Sequence, residues 1–364
     1  MKALIQILAG LFVIALYERA FSAETNSLRW RDARELALEG KGWADTKDFY
    51  DRLSARAEKN VRLPVWNLSH DSAGMCVRFV TDATAISARW TLRKELLALP
   101  HMPASGVSGV DLYVRDEAKW AWLGSGRPDK FPTNERQLVK DLRQERREFI
   151  LYFPLYNGVT EMQIGVAPDA HFEAAPARTN KPMLFYGTSI LQGGCASRPG
   201  MAYPAILGRR CDWPALNLGF SSNALSEPEI ARLFAELDPA VYVLDPLPNM
   251  GAESVRERSA NFIQTLRKAH PQTPIVLVEN VEYPDGKFVE PRHKRYSEAN
   301  AELKKIYERL VREGDRKLFY VPGEKLFGSD GEATVDGTHP TDLGFLRMAD
   351  AIEPILQRAL KAAR

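Results

Sequence analysis

The sequence predicts two folded units in tandem, an all-β sandwich followed by an α/β domain whose parallel sheet carries helices on both faces. Three observations carry this reading. Six of the seven tryptophans precede residue 125, in a half made of short apolar runs broken by turn residues. From Lys181 onward, compact apolar runs alternate with longer stretches of helical periodicity, the pattern of a buried parallel sheet. Between the halves lies "APDAHFEAAPARTNKP" (167–182), rich in proline and alanine, which reads as a linker. A chain of 364 residues holds two domains of ordinary size, set at 24–175 and 181–364.

The elements follow in order. Lys2 and the apolar run Ala3 to Leu16, followed by Ala20-Phe21-Ser22, read as a signal peptide over 1–22 and imply a periplasmic or secreted protein. The run is shorter than the ~20 residues of a spanning helix, so integral membrane association is not expected. In the first half, 75–80, 85–90, 110–115, 119–124, 148–153 and 161–166 are strand candidates, several with visible alternation. The clustered tryptophans fit core and inter-domain packing better than a sugar-binding platform. In the second half, strands are expected at 183–187, 215–219, 240–245, 275–280 and 317–321, and helices at 200–210, 226–237, 252–269 and 294–313. Ser226 with Glu229 three residues on reads as a capping box. Phe345, Leu346, Ala349, Ile352, Leu356 and Leu360 mark a final helix that Pro354 should kink.

Composition removes several classes of function. The net charge is +2 with both signs interspersed, so no basic stripe points to nucleic acid. No Cys/His spacing resembles a zinc site, and no metal or cofactor is expected. Cys195 and Cys211 could pair in an oxidising compartment or remain free thiols. Oligomeric state is not legible.

In an open parallel sheet, functional groups gather at the carboxyl ends of the strands. The first strand ends in "GTSILQGG" (187–194), the second in "NLGFSSNA" (217–224) and the third in "LDPLPNM" (244–250); "VDGTHPTDLG" (335–344) precedes the last helix. Ser189 is a candidate nucleophile, on a turn that Gly187 permits and near which Gly193 and Gly194 let backbone approach. His339 precedes Pro340, which biases it toward an extended conformation, and it shares a short turn with Asp336. The carboxylate can hold one imidazole nitrogen and leave the other free as a base. The same pair could instead cap the last helix, although Thr341 or Asp342 can do that alone. A metal reading lacks a third ligand nearby.

The four blocks in this order resemble the SGNH (GDSL-like) hydrolase superfamily of serine esterases, from Lys181 to the C-terminus. "GVDLYV" (109–114), "LGSGRP" (123–128) and "FPLYNGV" (153–159) resemble the GxDLY-type β-sandwich that precedes some of these enzymes. The resemblance implies an SGNH-type three-layer αβα domain with Ser189 as nucleophile, His339 as base, Asp336 as its orienting partner and Asn249 as an oxyanion-hole donor. The Ser189 amide is a second donor. A third is normally a glycine amide, and that position is Ser222, with Gly219 the alternative; a glycine-only φ would be strained at Ser222. The implied function is hydrolysis of short-chain esters, acetyl foremost, on a carbohydrate through an acyl-enzyme. A lysophospholipase or thioesterase on the same scaffold, and a non-catalytic carbohydrate-binding protein, are the alternatives.

Overall fold

A computed structural model describes residues 28–363; the expected signal peptide at 1–22 lies outside the described residues. The first domain is two antiparallel sheets. One has the order β1 (Arg29–Asp32), β9 (Val159–Val166), β4 (Ile86–Leu92), β7 (Thr133–Val139). The other has the order β10 (Phe172–Ala174), β3 (Cys76–Thr81), β8 (Arg147–Tyr152), β5 (Val110–Asp116), β6 (Lys119–Gly126), with β2 (Ala37–Glu39) also paired to β3. All six expected strands form. The sequence reading missed β1, β2, β7 and β10, which are short or carry several charged and polar residues, as in "RWRD" and "TNERQLV". β1, β7 and β10 end their sheets, where charge discourages pairing with another chain.

Strands β3, β5 and β8 are apolar on both faces because both faces are covered. Val77, Phe79, Val110, Leu112, Phe149 and Leu151 point into the sandwich, whereas Cys76, Tyr113, Ile150 and Tyr152 meet Ala205 of the second domain. Alternation with period two thus serves two cores.

The second domain is a five-stranded parallel sheet in the order β12 (Ala215–Gly219), β11 (Met183–Gly187), β13 (Val241–Asp245), β14 (Ile275–Val278), β15 (Leu318–Val321). Alternate residues face opposite helical layers. Phe185, Val243 and Val276 meet the helices Tyr203–Cys211 and Asp342–Ala362; Tyr186, Leu244 and Leu277 meet Pro228–Phe234, Ala252–Ala269 and Glu290–Arg312. The chain leaves β11 toward β12 on one side and reaches β13 on the other, so the end of β11 is the topological switch point where such sheets bind ligands. There Gly187 lies level with Gly219 and Asp245.

One local expectation is corrected. Ser226 does not cap a helix: the helix starts at Pro228 with Glu227 as an extended N-cap (φ −70°, ψ 146°). A residue before proline is disfavoured in the helical region, which moves the start. The expected final helix forms and spans Asp342–Ala362 with Pro354 inside it, beside buried Ile352 and Leu356. Tertiary burial there offsets the loss of one backbone hydrogen bond.

The two domains share their cores. Trp43, Leu53, Val65 and Trp66 join the cluster of Tyr186 and Phe262, while Met102, Val107 and Leu155 join that of Phe185 and Ile190. Trp90 fills the sandwich. Packing therefore accounts for three of the tryptophans. Asp111 of the GVDLYV stretch is fully buried and clasps the second domain, accepting from Arg198 Nη1 (2.7 Å) and the Gly200 amide (2.9 Å), and from Trp122 Nε1 of its own sheet (2.8 Å). No helix among the described residues is long and apolar enough to cross a membrane, and Cys76, Cys195 and Cys211 are free thiols.

Candidate active site

Ser189 opens the single-turn helix Ser189–Gln192 directly after β11. Thr188 caps it by accepting from the Ile190 amide (3.3 Å), which explains a short polar residue before the serine. Gly187 is required by space, since a Cβ there would lie 2.6 Å from the Asp245 carbonyl oxygen. Gly193 ends the turn with φ 111°, and the Gly193 and Gly194 amides donate to the Ser189 carbonyl (3.1 and 2.7 Å). A Cβ on Gly194 would crowd Tyr156 Oη at 2.9 Å and the His339 ring at 3.2 Å.

His339 and Asp336 occupy a turn closed by its own hydrogen bonds. The Val335 amide donates to the His339 carbonyl (2.9 Å) and that of Thr341 to Ala333 (2.8 Å). Asp336 Oδ1 accepts from the Thr338 and His339 amides (3.0 and 2.8 Å), and Oδ2 lies 2.7 Å from His339 Nδ1. His339 Nε2 is 2.9 Å from Ser189 Oγ. The three residues thus form one hydrogen-bonded chain across 150 residues of sequence. Burial pushes the Asp336 pKa up, but the His339 amide and imidazole and the Thr338 amide outweigh it and hold the carboxyl at about 2. Thr341 caps the final helix, accepting from the Gly344 amide (3.3 Å), so Asp336 and His339 are not needed as caps.

The second and third strand ends meet beside this chain. Among the amides of 221–224, that of Ser221 donates to Gln192 Oε1 (3.0 Å), while those of Asn223 and Ala224 donate to the Phe220 carbonyl (2.8 and 3.1 Å). The Asn249 carboxamide is assigned with its oxygen toward the same Asn223 and Ala224 amides, 3.1 Å from each, because the opposite orientation would set its amino group against two donors; Nδ2 is then left as a donor. The Ser222 amide has no protein acceptor among the described residues, and Ser222 sits at φ 59° in the left-handed region, as feared from its side chain. The Gly219 amide is occupied by Asn217 Oδ1 (3.0 Å), and a Cβ there would meet the Gln192 amide at 2.4 Å. Gly219 is thus a packing glycine.

The sequence reading missed the residues that hold this region, two of them, Arg52 and Tyr156, from the first domain. Arg52 is fully buried and donates to the carbonyls of Asp71 (2.8 Å), Leu68 (2.6 Å), Asn217 (3.0 Å) and Gly219 (2.7 Å). Gln192 Nε2 donates to Asp71 Oδ2 and the Leu155 carbonyl (3.1 Å each). Tyr156 Oη donates to the Ser189 carbonyl (3.1 Å). Arg292 Nη2 donates to the Gly337 carbonyl (2.6 Å) and braces the Asp336 turn. Each is distant in sequence from the residues it bonds, so no local signal marks these contacts. A serine hydroxyl hydrogen-bonded to an imidazole, itself tied to an ionised carboxylate, can form and release a covalent ester.

Residues 28–172 match the GxDLY domain described as the N-terminus of Esterase_SGNH_hydro-type proteins, and residues 180–357 match the GDSL-like lipase/acylhydrolase family. The chain is similar to a protein of Bacteroides ovatus ATCC 8483 described as a GDSL-like lipase: 34% identity over 92% of this chain and 98% of that one, TM-score 0.87. It shares its fold with the salicylyl-acyltransferase SsfX3 of a tetracycline biosynthetic pathway (19% identity, 91% and 97% covered, TM-score 0.71). It also shares it with a family two carbohydrate esterase of Clostridium thermocellum (16%, 80% and 94%, TM-score 0.58). No curated protein matches. The chain belongs to the GDSL-like lipase/acylhydrolase family of SGNH hydrolases, carries its GxDLY domain in front, and is a carboxylic ester hydrolase.

Proposed function

We propose that this esterase removes short acyl groups, acetyl foremost, from a carbohydrate outside the cytoplasm, with Ser189 as nucleophile, His339 as base and Asp336 as its orienting partner. The observation that carries the mechanism is the Ser189–His339–Asp336 chain at 2.9 and 2.7 Å. Ser189 Oγ attacks the ester carbonyl carbon as its proton passes to His339 Nε2. Asp336 holds Nδ1 and stabilises the imidazolium. The oxyanion is met by the Ser189 and Ser222 amides and Asn249 Nδ2. The alcohol leaves with the proton from Nε2, and water repeats the sequence to free the acid and Ser189.

Support for the acyl and alcohol parts comes from elsewhere. The loops at the sheet ends are short and polar, with no long apolar cover for an acyl chain, whose methylenes contribute ~0.8 kcal/mol each only when they leave water. The expected export signal and the fold shared with a carbohydrate esterase favour a glycan. The test is a chain-length series from acetyl to octanoyl esters, with acetate release from acetylated xylan, pectin and mannan, run beside Ser189→Ala. Wild-type kcat/KM should fall steadily with chain length, and Ser189→Ala should lose ~10⁴- to 10⁶-fold in kcat. An octanoyl optimum moves the reading to lipid or thioester substrates. An acetyl optimum without release from any glycan removes the carbohydrate, and a variant keeping a tenth of the rate removes the nucleophile.

A further inference from the structure

We infer that His101, Cys195 and His339 form a zinc site through which Zn²⁺ switches the esterase off. His101 stands on a turn of the first domain, Cys195 follows the nucleophile turn, and His339 lies beyond the last strand. Their ligand atoms all fall within 4.8 Å of one another. The two imidazoles are 5.5 Å apart between ring centres and tilted by 52°, neither stacked nor hydrogen-bonded to each other. Gly194 leaves no room for a Cβ between Tyr156, the Ser189 carbonyl and the His339 ring, so the backbone carrying Cys195 lies against that ring. Cys195 itself is buried and held at φ 72°.

The donor set chooses the metal. Two imidazoles and a thiolate suit Zn²⁺, which binds nitrogen at ~2.0–2.1 Å and sulfur at ~2.3 Å in a tetrahedron, leaving one position for water. Those bonds imply ligand separations of about 3.3–3.7 Å, so side-chain rotations of about an ångström close the site. His339 Nδ1 is committed to Asp336 at 2.7 Å, which leaves Nε2 as the ligand. A carboxylate behind a metal-bound histidine is also the arrangement that orients the ring and raises its basicity toward zinc. Zinc takes cysteine as the thiolate, so binding Zn²⁺ sends the thiol proton to solvent as the S–Zn bond forms. The second cluster of this kind, Asp48, Asp51 and His70, already has the Arg93 guanidinium on both its carboxylates and does not need a cation.

The consequence rests on His339 being the base: the nitrogen that would hold zinc is the one bonded to Ser189 Oγ at 2.9 Å, so the metal and the serine proton exclude each other. Binding itself does not depend on that role, and two measurements separate them. Calorimetry of Ser189→Ala with Zn²⁺ should give one site per chain with about one proton released, and Co²⁺ in its place should show a thiolate-to-metal charge-transfer band. In wild type, buffered micromolar Zn²⁺ should abolish ester hydrolysis, EDTA should restore it, and millimolar Mg²⁺ or Ca²⁺, which prefer oxygen ligands, should do nothing. His101→Ala and Cys195→Ser should each weaken zinc binding and inhibition at least tenfold while keeping most of the metal-free rate. No binding, no charge-transfer band, or variants inhibited at the wild-type concentration would overturn the site. Binding without inhibition would overturn the switch. Full activity of Ser189→Ala would instead overturn the nucleophile and leave the calorimetric result standing.

Discussion

The two halves of the site are held in different ways. The turn from Ala333 to Thr341 brings His339 and Asp336 together within four residues and is closed mainly by its own backbone hydrogen bonds, with Arg292 as one brace from outside. The segment Asn217 to Asn223 carries the proposed oxyanion donor but is held from outside, by Arg52 across the domain junction, Gln192 from the nucleophile turn and Asn249 from the next strand end. The difference teaches where each half is vulnerable. The turn fails by losing a ligand of the imidazole, whereas the oxyanion segment can fail through a residue that touches no substrate.

The largest effect should come from breaking the turn. Asp336→Asn should lower kcat by ~10⁴-fold, because an amide cannot stabilise the imidazolium or hold the productive tautomer; steady-state kinetics measures it. The wild-type carboxyl, held at about 2, stays ionised on acidification from pH 7 to 4, so the acid limb of kcat/KM should show one proton only. Its contribution to stability is likewise complete above the ordinary aspartate value of ~3.9 and is lost only as pH falls through about 2. Asn249→Ala tests the other half and should cost ~10²- to 10³-fold in kcat with KM little changed. Equal damage to KM would make Asn249 a substrate-binding residue.

Arg52→Met asks whether the first domain positions the oxyanion segment. It should cost about 3 kcal/mol of stability, read by denaturant unfolding, since it takes the Arg52 donors from the carbonyls of Leu68, Asp71, Asn217 and Gly219. Below its unfolding range it should also lower kcat by about tenfold at unchanged KM, the split that a purely structural role would not produce. The smallest effect is expected from Ser222→Gly. Relief of the left-handed φ of 59° should add ~1 kcal/mol of stability and leave kcat within a few-fold. If Ser222→Gly is as damaging as Asn249→Ala, the hydroxyl is used and the backbone assignment is wrong.

Much of this was written locally. Strand and helix periodicity marked both domain types, and all five parallel strands fell where compact apolar runs stood. Ser189, Asp336 and His339 stood out as candidates because turn chemistry and the proline after His339 are local constraints, and the structure brings the three into one hydrogen-bonded chain. The edge strands β1, β7 and β10 were not legible, because an exposed ladder needs little apolar patterning. The start of helix Pro228–Phe234 was misread because the serine–glutamate spacing was weighed and the proline between them was not.

The sequence by itself determined the two folds, the order of strand ends and the residues at their tips, since each depends on neighbours a few positions away. Only the tertiary structure decided that Gly219 is a packing glycine with its amide occupied, that Arg52 and Gln192 hold the oxyanion segment, and that His101 and Cys195 stand beside His339. Those relations cross the domain junction or join strand ends far apart in the chain, and no spacing along a sequence encodes a contact made by packing one sheet against another.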